Sequence, residues 1–169
     1  AVTTNQNVQQ IKDRSMELKD VETRLKKMDS QGIDTQVIIP VPIQHYCNIK
    51  SNATYKAIET INNKLSETAN SRKDRFVALG HLPMQNGDLA ALEMVRCVNE
   101  LDIRGFQIIT FQDGKELSHP SYDPIWDTAT KLDVPIFLHP NGYPEGERLK
   151  NHYFINIIGN PMDTTVALH

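Results

Sequence analysis

The sequence has few cysteines, no long apolar run and no strong excess of either charge. Cys47 and Cys97 are the only cysteines, and their wide separation predicts two unpaired thiols in a reducing compartment. No apolar run approaches the roughly 18 residues that a membrane span needs, so no membrane partner is predicted. The net charge of -3 and the scattered lysines and arginines give no basic patch for nucleic acid. These absences predict a cytoplasmic protein.

Complete sequence motifs for common chemistries are also missing. The chain has no His-x-His, His-Glu-x-x-His or Cys-x-x-Cys, so it completes no metal motif by itself. It has neither a Gly-x-Gly-x-x-Gly nor a phosphate-binding loop, which argues against nucleotide chemistry. Without a Gly-x-Ser-x-Gly or a convincing Cys–His pairing, nucleophilic catalysis is not predicted. No residue of this chain is therefore assigned a catalytic role.

What is present is the length and composition of one ordinary domain, with 169 residues, 39% of them hydrophobic. Residues 1–15 are polar and are expected to be loosely ordered. Helical and strand patterns then alternate, and a last helix has Pro161 near its first turn. Asp20 is the predicted N-cap of the first helix, and Asp88 is the predicted N-cap of the third, which carries Leu89, Leu92, Val95 and Leu101. The second helix begins near Ser51 and the fourth at Tyr122. The predicted strands cover residues 36–42, 75–82, 105–110 and 134–139.

This alternation predicts right-handed βαβ units and a parallel sheet, in a single α/β domain of residues 1–169. Four such units can form a small open sheet or part of a closed barrel. Periodicity alone does not decide between these two arrangements.

Histidines stand where the predicted strands end, which is where parallel α/β folds place functional side chains. His139 ends the last strand, and Pro140 stiffens the chain after it, so the ring can offer a neutral nitrogen to zinc or a similar metal. The alternative is a histidine that hydrogen-bonds a backbone carbonyl. His81 ends the second strand with the same two alternatives, and His45 is a candidate substrate contact in the loop after the first strand.

Several blocks of this sequence, in register, resemble the amidohydrolase-related, metal-dependent decarboxylases. The first block runs from Arg24 to Val37 and reads R-x-x-x-M-D-x-x-G-I-D-x-Q-V. Further blocks follow in order, and the resemblance extends from about residue 20 to the end of the sequence. These later blocks cover residues 75–85, 93–101, 105–108, 137–140 and 158–165.

The resemblance implies a TIM-type (β/α) barrel of the metal-dependent hydrolase superfamily. About half of that barrel, its second to fifth strands, would be present here. In this family a divalent metal, zinc or in some members manganese, is held at the carboxyl mouth of the barrel. His139 matches the metal-binding histidine of the fifth strand, so it is the one metal ligand that the resemblance assigns. The other family ligands have no counterpart here, so this chain alone would not complete the coordination.

The resemblance also implies an activity for the complete protein. That activity is non-oxidative decarboxylation of a carboxylated aromatic or muconate-semialdehyde-like small molecule. Arg14 is the candidate for the family arginine that binds the substrate carboxylate, and His45 is a further candidate contact. His81 and Asn141 replace a threonine and a tryptophan of a similar family member, so we expect them to reshape the substrate pocket.

Two alternatives to decarboxylation remain open. The same barrel supports a metal-dependent hydrolase, because a metal can lower the pKa of bound water. The other alternative is a catalytically inactive half-barrel that acts only through assembly, because open sheet edges favour pairing with another chain. A homo-oligomer is expected on this second interpretation.

Overall fold

Helices and short strands alternate through residues 2–41, 51–140 and 146–169, which the computed structural model describes. The helices are α1 (Val2–Asp13), α2 (Ser15–Lys19), α3 (Val21–Ser30), α4 (Ser51–Ser71), α5 (Gly87–Leu101), α6 (Asp123–Leu132) and α7 (Asn160–Ala167). The strands are β1 (Gln36–Ile38), β2 (Phe76–Ala78), β3 (Gly80–His81), β4 (Phe106–Ile109), β5 (Phe111–Gln112), β6 (Lys115–Glu116) and β7 (Ile136–His139). The predicted alternation of helix and strand is therefore confirmed.

The first residues of the chain are helical, contrary to expectation. Residues 1–15 were expected to be loosely ordered, but Val2–Asp13 forms α1 and α2 follows almost directly. The α1 segment contains neither glycine nor proline, the two residues that most strongly oppose a helix. Polarity alone is therefore a poor sign of disorder in this segment.

The parallel strands lie side by side in the order in which they occur along the chain. β1 pairs with β2, and β4 pairs with β3 on one side and with β7 on the other. Leu79, the one residue between β2 and β3, donates its N–H to Ile38 O at 3.0 Å, while Arg104 N–H donates to Ala78 O at 3.2 Å. These bonds join the two ladders. The predicted parallel sheet is confirmed, and within the described residues it does not close into a barrel.

The sheet has two faces because side chains alternate along each strand. One face packs against the helices. Helix α4 contacts β2 and β3, and α5 packs against α6. The second face carries Val37, Val77, Gln107 and Phe137. On this second face the strands at the edges of the described sheet expose apolar groups, with Val37 53% and Phe137 49% exposed. Residues buried on the helix-packed face include Ile38, Phe76, Ala78, Phe106 and Ile108.

Side chains cap the first turns of two helices. Asp20 precedes α3, and its Oδ2 accepts a hydrogen bond from Thr23 N–H at 2.7 Å, so the predicted cap is confirmed. The cap of α5 was predicted at Asp88, and this was wrong. Asn86 Oδ1 accepts from Leu89 N–H at 3.0 Å, which places Asp88 inside the first turn. There its negative charge still interacts favourably with the amino end of the helix.

The Asp20 cap gives a pH-dependent prediction for the variant Asp20→Asn, which keeps a capping oxygen but removes the charge. The hydrogen bonds with Thr23 lower the pKa of Asp20 from its ordinary 3.8. Such a group contributes stability that is fully present above 3.8 and is lost as the pH falls through its lower folded pKa. We expect the wild type to have the higher urea midpoint at neutral pH and the difference between the two midpoints to shrink when the pH is lowered below 3.8. An equal difference at both pH values would contradict this account.

Cys97 is a buried free thiol, and burial raises its pKa, with a further contribution from the nearby Glu93 charge. Cys47 lies outside the described residues. Among the helices that the structure describes, none combines the length and the apolar character that crossing a bilayer requires.

Candidate metal and substrate site

The carboxyl ends of β3, β4 and β7 bring His81 and His139 to one edge of the sheet. His81 ends β3 opposite Gln107, and His139 ends β7 opposite Ile109. Residues two apart on a strand share a face, so Gln107, Ile109 and both histidines lie on the second face. His139 lies one row closer to the carboxyl edge than His81. These two strand-end positions thus lie at the same edge of the sheet, on the two strands that flank β4.

The His139 ring is oriented by the residue that follows it. Its Nδ1 lies 2.7 Å from Pro140 O, and the side chain is partly buried. A carbonyl oxygen can only accept a hydrogen bond, so Nδ1 must carry the proton and donate. The lone pair of the neutral ring then resides on Nε2, the atom that can bind a metal.

This tautomer fits the binding of the divalent metal that the sequence resemblance implies. An imidazole fixed through one nitrogen and binding through the other has the usual arrangement of a histidine metal ligand. Within residues 2–41, 51–140 and 146–169, no group of three histidine, cysteine or acidic side chains is placed to hold an ion. His139 therefore fits as one ligand, and the described residues do not supply a complete set.

His81 is held more deeply than His139, with only 1% of its surface exposed. Its Nδ1 lies 3.2 Å from Gln107 O and, by the same argument, donates to it. This is the backbone contact that the alternative interpretation of a strand-end histidine required. The substrate contact assigned to His81 stays a prediction.

A buried polar group that the sequence did not indicate holds the backbone of His81. Asn62 on α4 accepts from His81 N–H at 2.8 Å and donates to His81 O at 2.9 Å. The same Asn62 amide donates to Glu93 Oε1 at 2.7 Å, and Arg96 binds both Glu93 oxygens, at 2.7 and 2.8 Å. Asn62 and Glu93 are both fully buried. We call Asn62, Glu93 and Arg96 the Asn62 cluster.

Hydrogen bonding within the Asn62 cluster keeps Arg96 charged against the opposing effect of burial. The hydrogen bonds that Arg96 donates to Glu93 raise the pKa of Arg96, so the guanidinium stays charged. Cys97 Sγ lies 3.2 Å from Glu93 Oε1 and donates a weaker hydrogen bond to it. Because Cys97 stays protonated, its thiol can act as a donor to the carboxylate.

Gln107 extends the polar contacts from β3 to the end of β1. It is fully buried, and its Nε2 donates to Pro40 O at 3.1 Å. His81, Gln107 and Pro40 thus lie in one line of hydrogen bonds below the row of His139. These hydrogen bonds join the end of β3 and the segment after β1 to β4.

Arg14 lies away from this edge of the sheet. It is exposed between α1 and α2 and lines a cavity of about 320 Å³ that reaches Gln36, the first residue of β1. The first residue of a parallel strand lies at the amino edge of the sheet, opposite His139. The structure does not bring Arg14 together with His81 or His139, and its predicted contact with a substrate carboxylate stays a prediction. His45 and Asn141 lie outside the described residues.

Comparison with known proteins gives one consistent set of relatives. A model of the family described as Amidohydrolase matches residues 18–167. Gamma-resorcylate decarboxylase of Rhizobium radiobacter is 37% identical over 152 residues, which cover 83% of this chain and 44% of that protein. The 2-amino-3-carboxymuconate-6-semialdehyde decarboxylase of Dictyostelium discoideum is 28% identical over 149 residues, covering 88% of this chain and 42% of that protein.

The solved structures agree with the sequence relatives. A dihydroxybenzoic acid decarboxylase of Polaromonas, crystallised with manganese and the inhibitor 2-nitroresorcinol, matches with a TM-score of 0.77 at 28% identity. The match covers 87% of this chain and 47% of that chain. This chain therefore spans less than half the length of each of these three proteins.

Proposed function

The chain belongs to the amidohydrolase family, and from this premise we propose that the full-length protein is a metal-dependent, non-oxidative decarboxylase of a small carboxylated molecule. The observation that carries the proposal is the 2.7 Å contact between His139 Nδ1 and Pro140 O at the end of β7, which supports Nε2 as the nitrogen that would bind a metal. Both sequence relatives described above are named as decarboxylases. A carboxylated aromatic ring, as in gamma-resorcylate, is the substrate class that we infer.

The proposal includes the fold of the full-length protein. Parallel strands that follow one another in chain order, each succeeded by a helix, are the repeating unit of a (β/α) barrel. The described sheet would form part of that barrel, with its second face turned inward. The exposed Val37 and Phe137 on this face would then be covered by the rest of the barrel or by substrate.

His139 would hold a divalent metal through Nε2, with its ring kept in place by the hydrogen bond to Pro140 O. When bound, such a metal supplies Lewis-acid stabilisation of negative charge on the substrate. One solved relative was crystallised with manganese, and zinc is a metal that imidazole ligands suit, so both ions are candidates.

The chain's own residues would contribute positioning and exclusion of water. Phe137 lies two residues before His139 on the same face, so its ring can pack against an aromatic substrate near the metal. An apolar wall also favours loss of carbon dioxide, because the compact carboxylate charge becomes dispersed as the bond breaks. The contacts proposed for His45, His81 and Asn141 would select the substrate, whereas Arg14 would have to act from the opposite edge of the sheet.

The proposal is tested by assaying the full-length protein for carbon dioxide release from gamma-resorcylate. We expect a chelator to abolish the release and Mn²⁺ or Zn²⁺ to restore it, because the metal stabilises the developing charge. Parallel assays with amide and lactone substrates separate the alternatives. Metal-dependent hydrolysis without carbon dioxide release would reject the decarboxylase in favour of a hydrolase.

A second candidate function is supported by the exposed apolar residues of the edge strands. Val37 on β1 and Phe137 on β7 expose about half of their surface, and unpaired strand edges favour pairing with another chain. On this proposal the chain is an inactive half-barrel that forms a homo-oligomer. Light scattering distinguishes the two: an oligomer without metal or activity would support assembly, and an active metal-bound protein would exclude it.

A further inference from the structure

We propose that the Asn62 cluster is a positioning device that sets the carboxyl end of β3 beside the metal site. The consequence for catalysis depends on the proposed function, whereas the local structural role does not. Asn62 makes two hydrogen bonds with one residue, accepting from His81 N–H and donating to His81 O. A side-chain amide carries a donor and an acceptor, as a peptide group does, so Asn62 takes the place of a neighbouring strand.

Asn62 takes this place just beyond the point at which β1 stops pairing within the described residues. The last ladder bond from the β2–β3 segment towards β1 is the one from Leu79 N–H to Ile38 O. Two residues later, Asn62 bonds both polar backbone groups of the buried His81, and the loss of such buried hydrogen bonds is costly. Gly80 permits the approach, because a Cβ there would lie only 3.1 Å from Asn62 Oδ1.

Glu93 and Arg96 fix the orientation of the Asn62 amide. Glu93 Oε1 can only accept, so it selects the orientation in which Asn62 Nδ2 points towards it and Oδ1 faces His81 N–H. A buried carboxylate is tolerated when a counter-charge binds it, and Arg96 does so through two nitrogens. The three residues therefore depend on one another.

Further hydrogen bonds link the Asn62 cluster to the row of residues next to His139. The His81 ring donates to Gln107 O, and Gln107 Nε2 donates to Pro40 O. Gln107 is paired in register with Phe137, two residues before His139 on β7. A displacement of β3 would thus move β4 and the end of β1 relative to the proposed metal ligand.

Hydrogen exchange of the full-length protein tests the local role. In Asn62→Ala, the His81 amide loses its acceptor, and we expect it to exchange about tenfold faster, as for one lost buried hydrogen bond. The Gly80 amide, which donates to Gly105 O, is expected to keep its protection. Asn70→Ala is the matched control, because Asn70 is an exposed residue of the same helix that donates to Ser66 Oγ at 3.0 Å. Equal acceleration of the His81 and Gly80 amides would overturn a local role.

Steady-state kinetics test the consequence for catalysis. We expect Asn62→Ala to lower kcat for decarboxylation by about tenfold or more with little change in KM, because misplaced reacting groups slow chemistry more than binding. Asn70→Ala should leave both constants unchanged. If the wild type releases no carbon dioxide, the proposed function fails, and the exchange comparison alone decides whether the cluster acts locally. Faster His81 exchange with an unchanged kcat would overturn the positioning role.

Discussion

Replacing His139 by alanine is expected to remove most of the bound metal from the full-length protein and to slow decarboxylation by roughly 100-fold or more. The reason is the direct role of Nε2 as a ligand: loss even of a group that only orients a ligand costs on the order of 10- to 100-fold in metal affinity or activity. The hydrogen bond from Nδ1 to Pro140 O would be lost in the same variant. Metal content by elemental analysis and the rate of carbon dioxide release are the two measurements.

The matched control is His169→Ala, which removes an exposed histidine without touching the sheet. We expect it to retain metal and activity. Because His139 is only partly buried, His139→Ala should also keep most of its folding stability, so far-ultraviolet circular dichroism should match the wild type. A His139→Ala protein with full metal content and rate would show that the ligand role is wrong.

The sequence predicted the arrangement of the sheet well because that arrangement depends on local patterns. Short β-branched runs such as residues 36–38 and amphipathic helices between them were sufficient to place the parallel strands. Asp20 was recognised as a cap from its position alone. The resemblance to the amidohydrolase family, read from blocks of residues in register, is confirmed by the family match over residues 18–167.

The predictions that were wrong concern competing local signals. Asn86 and Asp88 are both good capping residues two positions apart, and local propensity did not decide which oxygen would reach a helix N–H. On α5, Leu92 and Val95, two of the apolar residues that marked the predicted helix, are 62% and 40% exposed. The face that packs is instead the one carrying Ala90, Glu93, Met94 and Cys97.

The buried face of α5 explains why the sequence did not indicate the Asn62 cluster. Glu93 lies three residues after Ala90 and four before Cys97, so helical spacing places it on the buried face. A charged residue within an apolar stripe needs a partner, and Arg96, three positions later, was the available signal. The contact with Asn62 spans 31 residues of sequence, and no local pattern predicts it.

Glu93→Ala is expected to lower the free energy of unfolding by about 3–5 kcal/mol, the usual cost of removing one partner of a buried ion pair. Glu93 is fully buried, and its loss takes a hydrogen-bond acceptor from Arg96, from Asn62 and from Cys97. The exposed pair of Glu67 with Lys64 gives the control, because Glu67→Ala should cost less than about 1 kcal/mol. Urea denaturation of the full-length protein followed by circular dichroism measures both variants.

Further variants separate the two causes of the stability lost in Glu93→Ala, the unpaired charge of Arg96 and the lost hydrogen bond to Asn62. If most of the loss comes from Arg96 left without its counter-charge, then Glu93→Ala combined with Arg96→Met should be more stable than Glu93→Ala alone. Glu93→Gln addresses the other part, because it keeps an acceptor for Asn62 but carries no charge. A double variant as unstable as Glu93→Ala, beside a stable Glu93→Gln, would show that the hydrogen bond to Asn62 matters more than the charge pair. The stability of β3 would then depend on the orientation of one amide.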